Sequence, residues 1–418
     1  MRGLFNIVIF LLLFIRSVQV MDTDLVDPFG CNETLFNTSA CHQVSYDYYC
    51  TLSRSTQDWF RELYNEALAD GPRTRKEIRT LDDAERQAYI DAVVALKNDK
   101  SVWPNKYDAI AMIHTNRTLC SAHKGTNFLG WHRVYLLIFE AALRQKNRNV
   151  TLPYWVSVID NNMDNHPIPN NSVIFTDAFL GNSDGIVRTG PFKHWKDLEN
   201  CTLQRELNSN NSMPLISPKI IDMIQNNLSV HHMKQIVYDE NDDWTTLEGQ
   251  HNHAHDWVGG MMHILDFAPQ DPVFVLHHAF VDYIWTKFIR KQHNLNVHEE
   301  YESVGQDVKR HYPNRTMDCF YWLKNVDGLD PKLAANVIYE DSPACPDCGH
   351  SKYLKCDATF NICIPDDKTE SAVSNQVSWS LRILFILFRV MMVCFELREC
   401  HLFCGDCTGC RDMSYDAI

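Results

Sequence analysis

The sequence predicts a mainly α protein with long loops and Cys-rich flanks, and three observations predict it. Apolar residues recur at helical spacing in several stretches between Thr80 and Lys291. Residues 160–230 are instead rich in Asn, Ser, Pro and Gly and carry few long periodic runs. Cysteines crowd both flanks, with Cys31, Cys41 and Cys50 on one side and Cys345, Cys348, Cys356 and Cys363 on the other. A chain of 418 residues is long enough for one large core or two ordinary ones.

Residues 1–20 resemble a secretory signal peptide. Arg2 supplies the positive start, Leu4–Ile15 is an apolar run, and polar Asp22 and Asp24 follow. Residues 21–70 read as a Cys-rich N-terminal arm. A secretory route makes disulfides the expected fate of many of the 15 cysteines, although spacing does not give their pairing. Asn-X-Ser/Thr sequons at Asn32, Asn37, Asn116, Asn149, Asn170, Asn200, Asn210, Asn227 and Asn314 agree with an exported glycoprotein.

Residues 71–340 hold the periodic stretches. Thr80–Lys97 places Leu81, Ala84, Ala88, Ala92, Ala95 and Leu96 at helical intervals with charges between them. Tyr107–His114 is a second helical stretch, with Asp108 as its expected N-cap. Trp131–Lys146 is a third, in which Tyr135, Leu136, Phe139 and Leu143 form an apolar face and His132 lies one turn before Leu136. Leu152–Trp155 then continues in extended form. The 160–230 stretch reads as a surface excursion carrying much of the glycan. Helix resumes over Gly249–Met262. Asp271–Lys291 is the clearest helix, with Asp271 as cap and Pro272 in the first turn.

After about Asp341 the composition changes to Cys, Pro, Gly and Asp, which marks an expected boundary before a C-terminal extension at 341–418. Val377–Phe395 is apolar but contains Arg382 and Arg389, which are costly near a bilayer centre. A membrane anchor there and a docked helix both stay open. The closing Cys404-x-x-Cys407-x-x-Cys410 fits disulfides, a metal knuckle or lipidated thiols alike.

The formal net charge is −14, and no Lys/Arg-rich run or basic stripe appears. Nucleic acid is therefore not an expected partner.

Two histidine sets carry the chemistry. His114, His123 and His132 are spaced by equal nine-residue steps, and His251, His255 and His278 form the second set. Ligation by imidazoles alone suits copper or zinc, whereas calcium and magnesium want oxygen ligands. His251 and His255 are four apart and project from one helix face, while His253 points away. Asn252 follows His251 where a zinc protease needs Glu as general base, which argues against a metalloprotease. His277 and His278 are adjacent, so one of the two faces a shared ion. Asp282, one turn later, is placed to anchor a neighbouring group, which makes His278 the better ligand.

These residues resemble a known family. His123-x4-Phe128-Leu129-Gly130-Trp131-His132-Arg133, continued to Glu140, is similar to the first copper signature of tyrosinases. Asp271-Pro272-Val273-Phe274-x3-His278-x3-Asp282 is similar to the second. Tyr107-Asp108 ahead of His114, and Arg75-Lys76-Glu77 opening the early helix, also fit. The resemblance spans roughly residues 70–325. It implies a four-helix-bundle core holding two copper ions, the first on His114, His123 and His132 and the second on His251, His255 and His278. It implies use of dioxygen to hydroxylate small phenols such as tyrosine ortho to the hydroxyl and to oxidise the catechols to o-quinones. Glu248 and Asn252 match the family's water-holding pair, which assists deprotonation of a monophenol. Helix capping by Glu248 is the competing reading. Met262 and Leu265 fall in the stretch that lines the substrate entrance in relatives, and Gly259-Gly260 lets backbone approach closely.

The sequence also departs from the family. Cys120 lies three residues before His123, so the thioether of many relatives is not expected. Pro153-Tyr154-Trp155-Val156 stands where the family has Asp after Trp, a role Asp160 is near enough to take. The reading is a secreted copper monooxygenase and oxidase whose quinones cross-link tyrosine-rich proteins or form pigment. A catechol oxidase, a haemocyanin-like dioxygen carrier and a zinc-containing relative are its competitors.

Overall fold

The computed structural model describes residues 53–115, 121–161, 172–197, 200–207, 214–227, 246–294, 301–303, 305 and 308–366. Among them run nine α-helices: α1 (Arg54–Ala69), α2 (Asp83–Asn98), α3 (Lys106–Ala111), α4 (Asn127–Lys146), α5 (Ser157–Asn161), α6 (Pro218–Asp222), α7 (Leu247–Val258), α8 (Val273–Asn294) and α9 (Pro331–Ala335). The fold is mainly α, as the periodicity predicts. The expected signal peptide, the segment 377–395, Cys120 and the closing cysteines lie outside the described residues. Among the described residues no helix is long and apolar enough to cross a membrane.

The two long metal-signature helices lie at the centre. In α4 every residue from Asn127 to Leu143 is buried, and in α8 every residue from Val273 to Thr286 is buried. A helix buried on all sides belongs in the middle of a core. α4 packs against α1, α2 and α8, and α8 packs against α7.

Local chemistry fixes the ends of these helices. The Asp82 side chain accepts from the Glu85 amide while Glu85 reaches back, a capping box that starts α2 three residues later than the periodicity alone suggests. Asn105, not Asp108, caps α3. Asp108 instead accepts from Lys97 Nζ and Asn105 Nδ2, each at 2.6 Å. The described end of the expected Cys-rich arm is helical, because Trp59, Phe60, Leu63 and Ala67 form a buried stripe along α1.

Strands are short. β1 (Arg73–Arg75) pairs in parallel with Val337–Tyr339, from the far end of the unit. Arg75 thus lies in a strand and not at a helix start, and its guanidinium is committed to an ion cluster. Glu140 accepts from Arg73 Nε at 2.7 Å and from Arg75 Nη2 at 2.8 Å. Arg75 Nη1 donates to Tyr339 Oη at 2.6 Å. Tyr339 and Arg133 each donate to Asp282, at 2.6 and 2.7 Å. This buried network links the first strand to both signature helices.

A second cluster contains Glu77, Arg79 and Asp160, all fully buried. Asp160 also accepts from Trp155 Nε1 at 2.6 Å and from Ser172 Oγ at 2.8 Å. It supplies the buried carboxylate that Val156 cannot.

Residues 342–365 belong to the same compact unit as the helices. Disulfides Cys345–Cys356 and Cys348–Cys363 staple the hairpin of Leu354–Asp357 and Ile362–Pro365. Ser351 Oγ ties this hairpin to the Arg79 carbonyl at 2.6 Å. Of the sequons, Asn149, Asn200 and Asn314 are exposed.

Candidate metal centre

The six histidines arrive from five places. His114 follows α3, His123 precedes α4, and His132 lies on α4. His251 and His255 share one face of α7, and His278 lies on α8. All six are buried, at 5% exposure or less.

The first triad is compact, with ring centroids 4.8 Å apart for His114 and His123, 4.9 Å for His123 and His132, and 5.4 Å for His114 and His132. In the second, His251 Nε2 lies 2.9 Å from His255 Nε2 and 3.1 Å from His278 Nε2. His255 Nε2 and His278 Nε2 are 3.4 Å apart. The two triads meet face to face where His132 stacks on His278, with centroids 4.3 Å apart and planes inclined by 11°.

The potential ligand atoms of His251, His255 and His277 also lie within 4.8 Å of one another, so proximity alone does not choose between His277 and His278. Direction does. His277 Nε2 is 3.1 Å from the His251 carbonyl oxygen, to which it is placed to donate. His278 Nε2 points at its two partners.

Backbone carbonyls set the tautomers. His114 Nδ1 is 3.0 Å from Leu265 O, His132 Nδ1 is 2.8 Å from Phe128 O, and His255 Nδ1 is 2.8 Å from Met262 O. His251 Nδ1 is 3.2 Å from Glu248 O. A proton on Nδ1 leaves the Nε2 lone pair for a metal. The Nε2 atoms of His114 and His132 are buried and have no hydrogen-bond partner among the described residues. Such a cost is accepted where another ligand takes the lone pair.

Burial also keeps the rings neutral. Desolvation, reinforced by neighbouring imidazoles, lowers His114 to about 3 and holds His132, His251 and His278 well below the ordinary imidazole value. Desolvation likewise lowers His255 to about 4. Neutral imidazole is the form that ligates a metal. The residues present therefore fit a pair of copper ions.

Apolar rings surround the histidines. The Phe274 centroid is 4.1 Å from that of His278 and 4.9 Å from that of His114. The Phe128 centroid is 4.8 Å from that of His132 and 4.9 Å from that of His251.

Glu248 does not cap α7, because Thr246 does so, accepting from the Gly249 amide at 3.0 Å. The buried Glu248 carboxylate accepts instead from the Lys124 amide, next to His123. It thereby joins the loop of the first triad to the helix of the second. Asn252 is partly exposed beside His251. Asp282 touches Arg133 and Tyr339, so it anchors the helices. Gly259 and Gly260 do allow a close backbone approach, but to the strand Gln204–Glu206.

Residues 104–291 match the family model described as the common central domain of tyrosinase. Tyrosinase-like protein 2 of Margaritifera margaritifera is 36% identical over 337 residues, covering 76% of this chain and 73% of that one. The chain belongs to the tyrosinase family. The tyrosinase-like protein of Pinctada maxima is 36% identical over 308 residues, covering 69% of this chain and 66% of its own. Hemocyanin type 2 unit e of Rapana venosa is 29% identical over 229 residues, covering 50% of this chain and 52% of its own. Tyrosinase-family proteins bind two copper ions, and two histidine triads stand ready in this one.

Backbone groups are what sequence reading missed at this centre. Leu265 and Met262 fall in the stretch expected to line the entrance, yet their carbonyls hold two of the rings. No residue-type signal marks such a contact.

Proposed function

We propose that this tyrosinase-family chain ortho-hydroxylates monophenols such as tyrosine and oxidises o-diphenols to o-quinones with dioxygen. In this reading His114, His123 and His132 hold one copper, and His251, His255 and His278 hold the other. The copper pair, when bound, supplies the redox chemistry with dioxygen. The observation that carries the reading is the convergence of two neutral, buried triads, with His251, His255 and His278 Nε2 atoms within 3.4 Å of one another.

The protein's own share is orientation, exclusion of water and proton handling. The carbonyls of Leu265, Phe128 and Met262 fix three rings. Phe128 and Phe274 dry the centre. Glu248, with Asn252, holds a water that takes the phenol proton, which is the step catechols need least. The products suit cross-linking of tyrosine-rich proteins or pigment formation after export.

A second reading, a dioxygen carrier, is favoured by the similarity to the Rapana venosa hemocyanin unit. Oxygen uptake with tyrosine and with dopa, before and after limited proteolysis, separates the two. An oxidase consumes oxygen with dopa, and a monooxygenase does so with tyrosine as well. A copper-loaded chain that consumes none with either substrate, cleaved or intact, overturns the enzymatic reading. Metal analysis showing zinc overturns both.

A further inference from the structure

Behind the metal-bearing helices lies a second feature whose charge does not balance. Among the described residues, the ion cluster of Arg73, Arg75 and Arg133 with Glu140 and Asp282 contains three cations against two carboxylates. Side-chain exposure is 5% or less for the three arginines, 0% for Glu140 and 8% for Asp282. An excess of positive charge in a largely buried cluster favours an anion wherever the cluster reaches a cavity.

The cluster opens on a cavity of about 340 Å³ through Arg133. The Arg133 guanidinium lies over Trp285, its Cζ 3.6 Å from the ring centroid. Its Nε donates to Asp282 at 2.7 Å and its Nη2 to Thr286 Oγ1 at 2.9 Å. The hydrogens of Nη1 form no hydrogen bond among the described residues. Arg290 and His293, one and two turns along α8 from Thr286, place a guanidinium and an imidazole at the exposed mouth. Among the described residues no acidic side chain lines the cavity, on a chain whose net charge is −14. Ile289, Leu329 and Ala334 form an apolar wall beside these polar groups. The volume lies at the small end of the range that holds small organic ligands.

We propose that this cavity is a binding site for a small organic carboxylate with a short apolar body. The carboxylate accepts from Arg133 Nη1 at the floor, where a planar guanidinium offers a fork that matches it. It supplies the missing negative charge, and the apolar body lies along Ile289, Leu329 and Ala334. The site is separate from the histidine centre and does not depend on the reaction assigned to that centre.

The test uses the full copper-loaded chain and isothermal titration with hexanoate, hexanol and hexylamine. Hexanoate is expected to bind saturably at low salt, and the alcohol and the amine are not. Ala334→Leu, which fills the wall of the cavity, and Arg290→Gln, at its exposed mouth, are each expected to weaken hexanoate by about tenfold or more. Both variants should keep the copper content and dopa oxidation of the parent. A catechol-site competitor should leave hexanoate binding unchanged. Absence of saturable hexanoate binding, equal binding of hexanol, displacement by the competitor, or indifference to both substitutions overturns the proposal.

Discussion

His251 Nε2 and His278 Nε2 lie 3.1 Å apart although 27 residues separate them, whereas His277 turns its Nε2 to the His251 carbonyl at the same distance. Two adjacent imidazoles on α8 thus do different work. One presents a lone pair to the second triad, and the other braces the helix that carries its neighbour's partner. His278→Ala should leave about one copper per chain by elemental analysis, because two imidazoles alone hold the ion poorly. His277→Ala should retain both ions, since it removes a brace and no ligand. The reverse result would exchange the two assignments.

Glu248 offers a way to separate the two activities. Its carboxylate meets the Lys124 amide, and its place beside both triads suits it to hold a water near an incoming phenol. Glu248→Gln keeps size and hydrogen bonding but removes the base. Tyrosine hydroxylation should fall by about 10²–10⁴, the range for a lost general base, while dopa oxidation falls far less. Equal loss of both activities, with copper content intact, would reject the proton-transfer role.

Glu140 makes stability depend on acid in a calculable direction. Burial alone would push this carboxyl up, but Arg75 and Arg73 outweigh it and lower its pKa from 4.5 to about 2. The folded value is depressed, so the stabilisation is present above the ordinary value and is lost as pH falls through about 2. Glu140→Gln leaves two arginines without their carboxylate and should cost about 3–5 kcal/mol near neutral pH. Urea unfolding of the metal-free chains should show the gap between parent and variant narrowing below about pH 4. A gap that does not change with pH would mean that shape, not charge, is what Glu140 contributes.

The contrast between what was readable and what was not follows from locality. His251 and His255 were legible because four residues make one helical turn, and α8 was legible because Pro272 and a long apolar run announce it. The fit of Asp160 to the place left by Val156 was also visible, since only four residues part them. The parallel pairing of Arg73–Arg75 with Val337–Tyr339 was not, because nothing local in either strand names a partner so distant. The same holds for residues 342–365, whose composition suggests a separate extension but whose Ser351 and Tyr353 dock on the Arg79 carbonyl and on Phe179. The helix of Arg54–Ala69 is legible in the spacing of Trp59, Phe60, Leu63 and Ala67, a local signal that the cysteines at 31–50 do not cancel.

Gly260 tests whether remote backbone geometry sets a metal ligand. Its φ is +55°, and a Cβ there would lie 2.2 Å from the Gln204 carbonyl oxygen. Any side chain must therefore push the turn away from the strand Gln204–Glu206. Two residues later, the Met262 carbonyl receives His255 Nδ1 at 2.8 Å. Gly260→Ala should cost about 1–3 kcal/mol through the strained conformation and the collision together. It should also shift that carbonyl and loosen His255, so copper loss on dialysis against a chelator should begin with one ion of the pair. Ala substituted at Gly185 provides the control: its φ is +65°, yet a Cβ there meets nothing within 4 Å. That variant should show the backbone strain without the copper loss. If Gly260→Ala loses stability but releases both ions at the parent's rate, the Met262 carbonyl does not govern the orientation of His255.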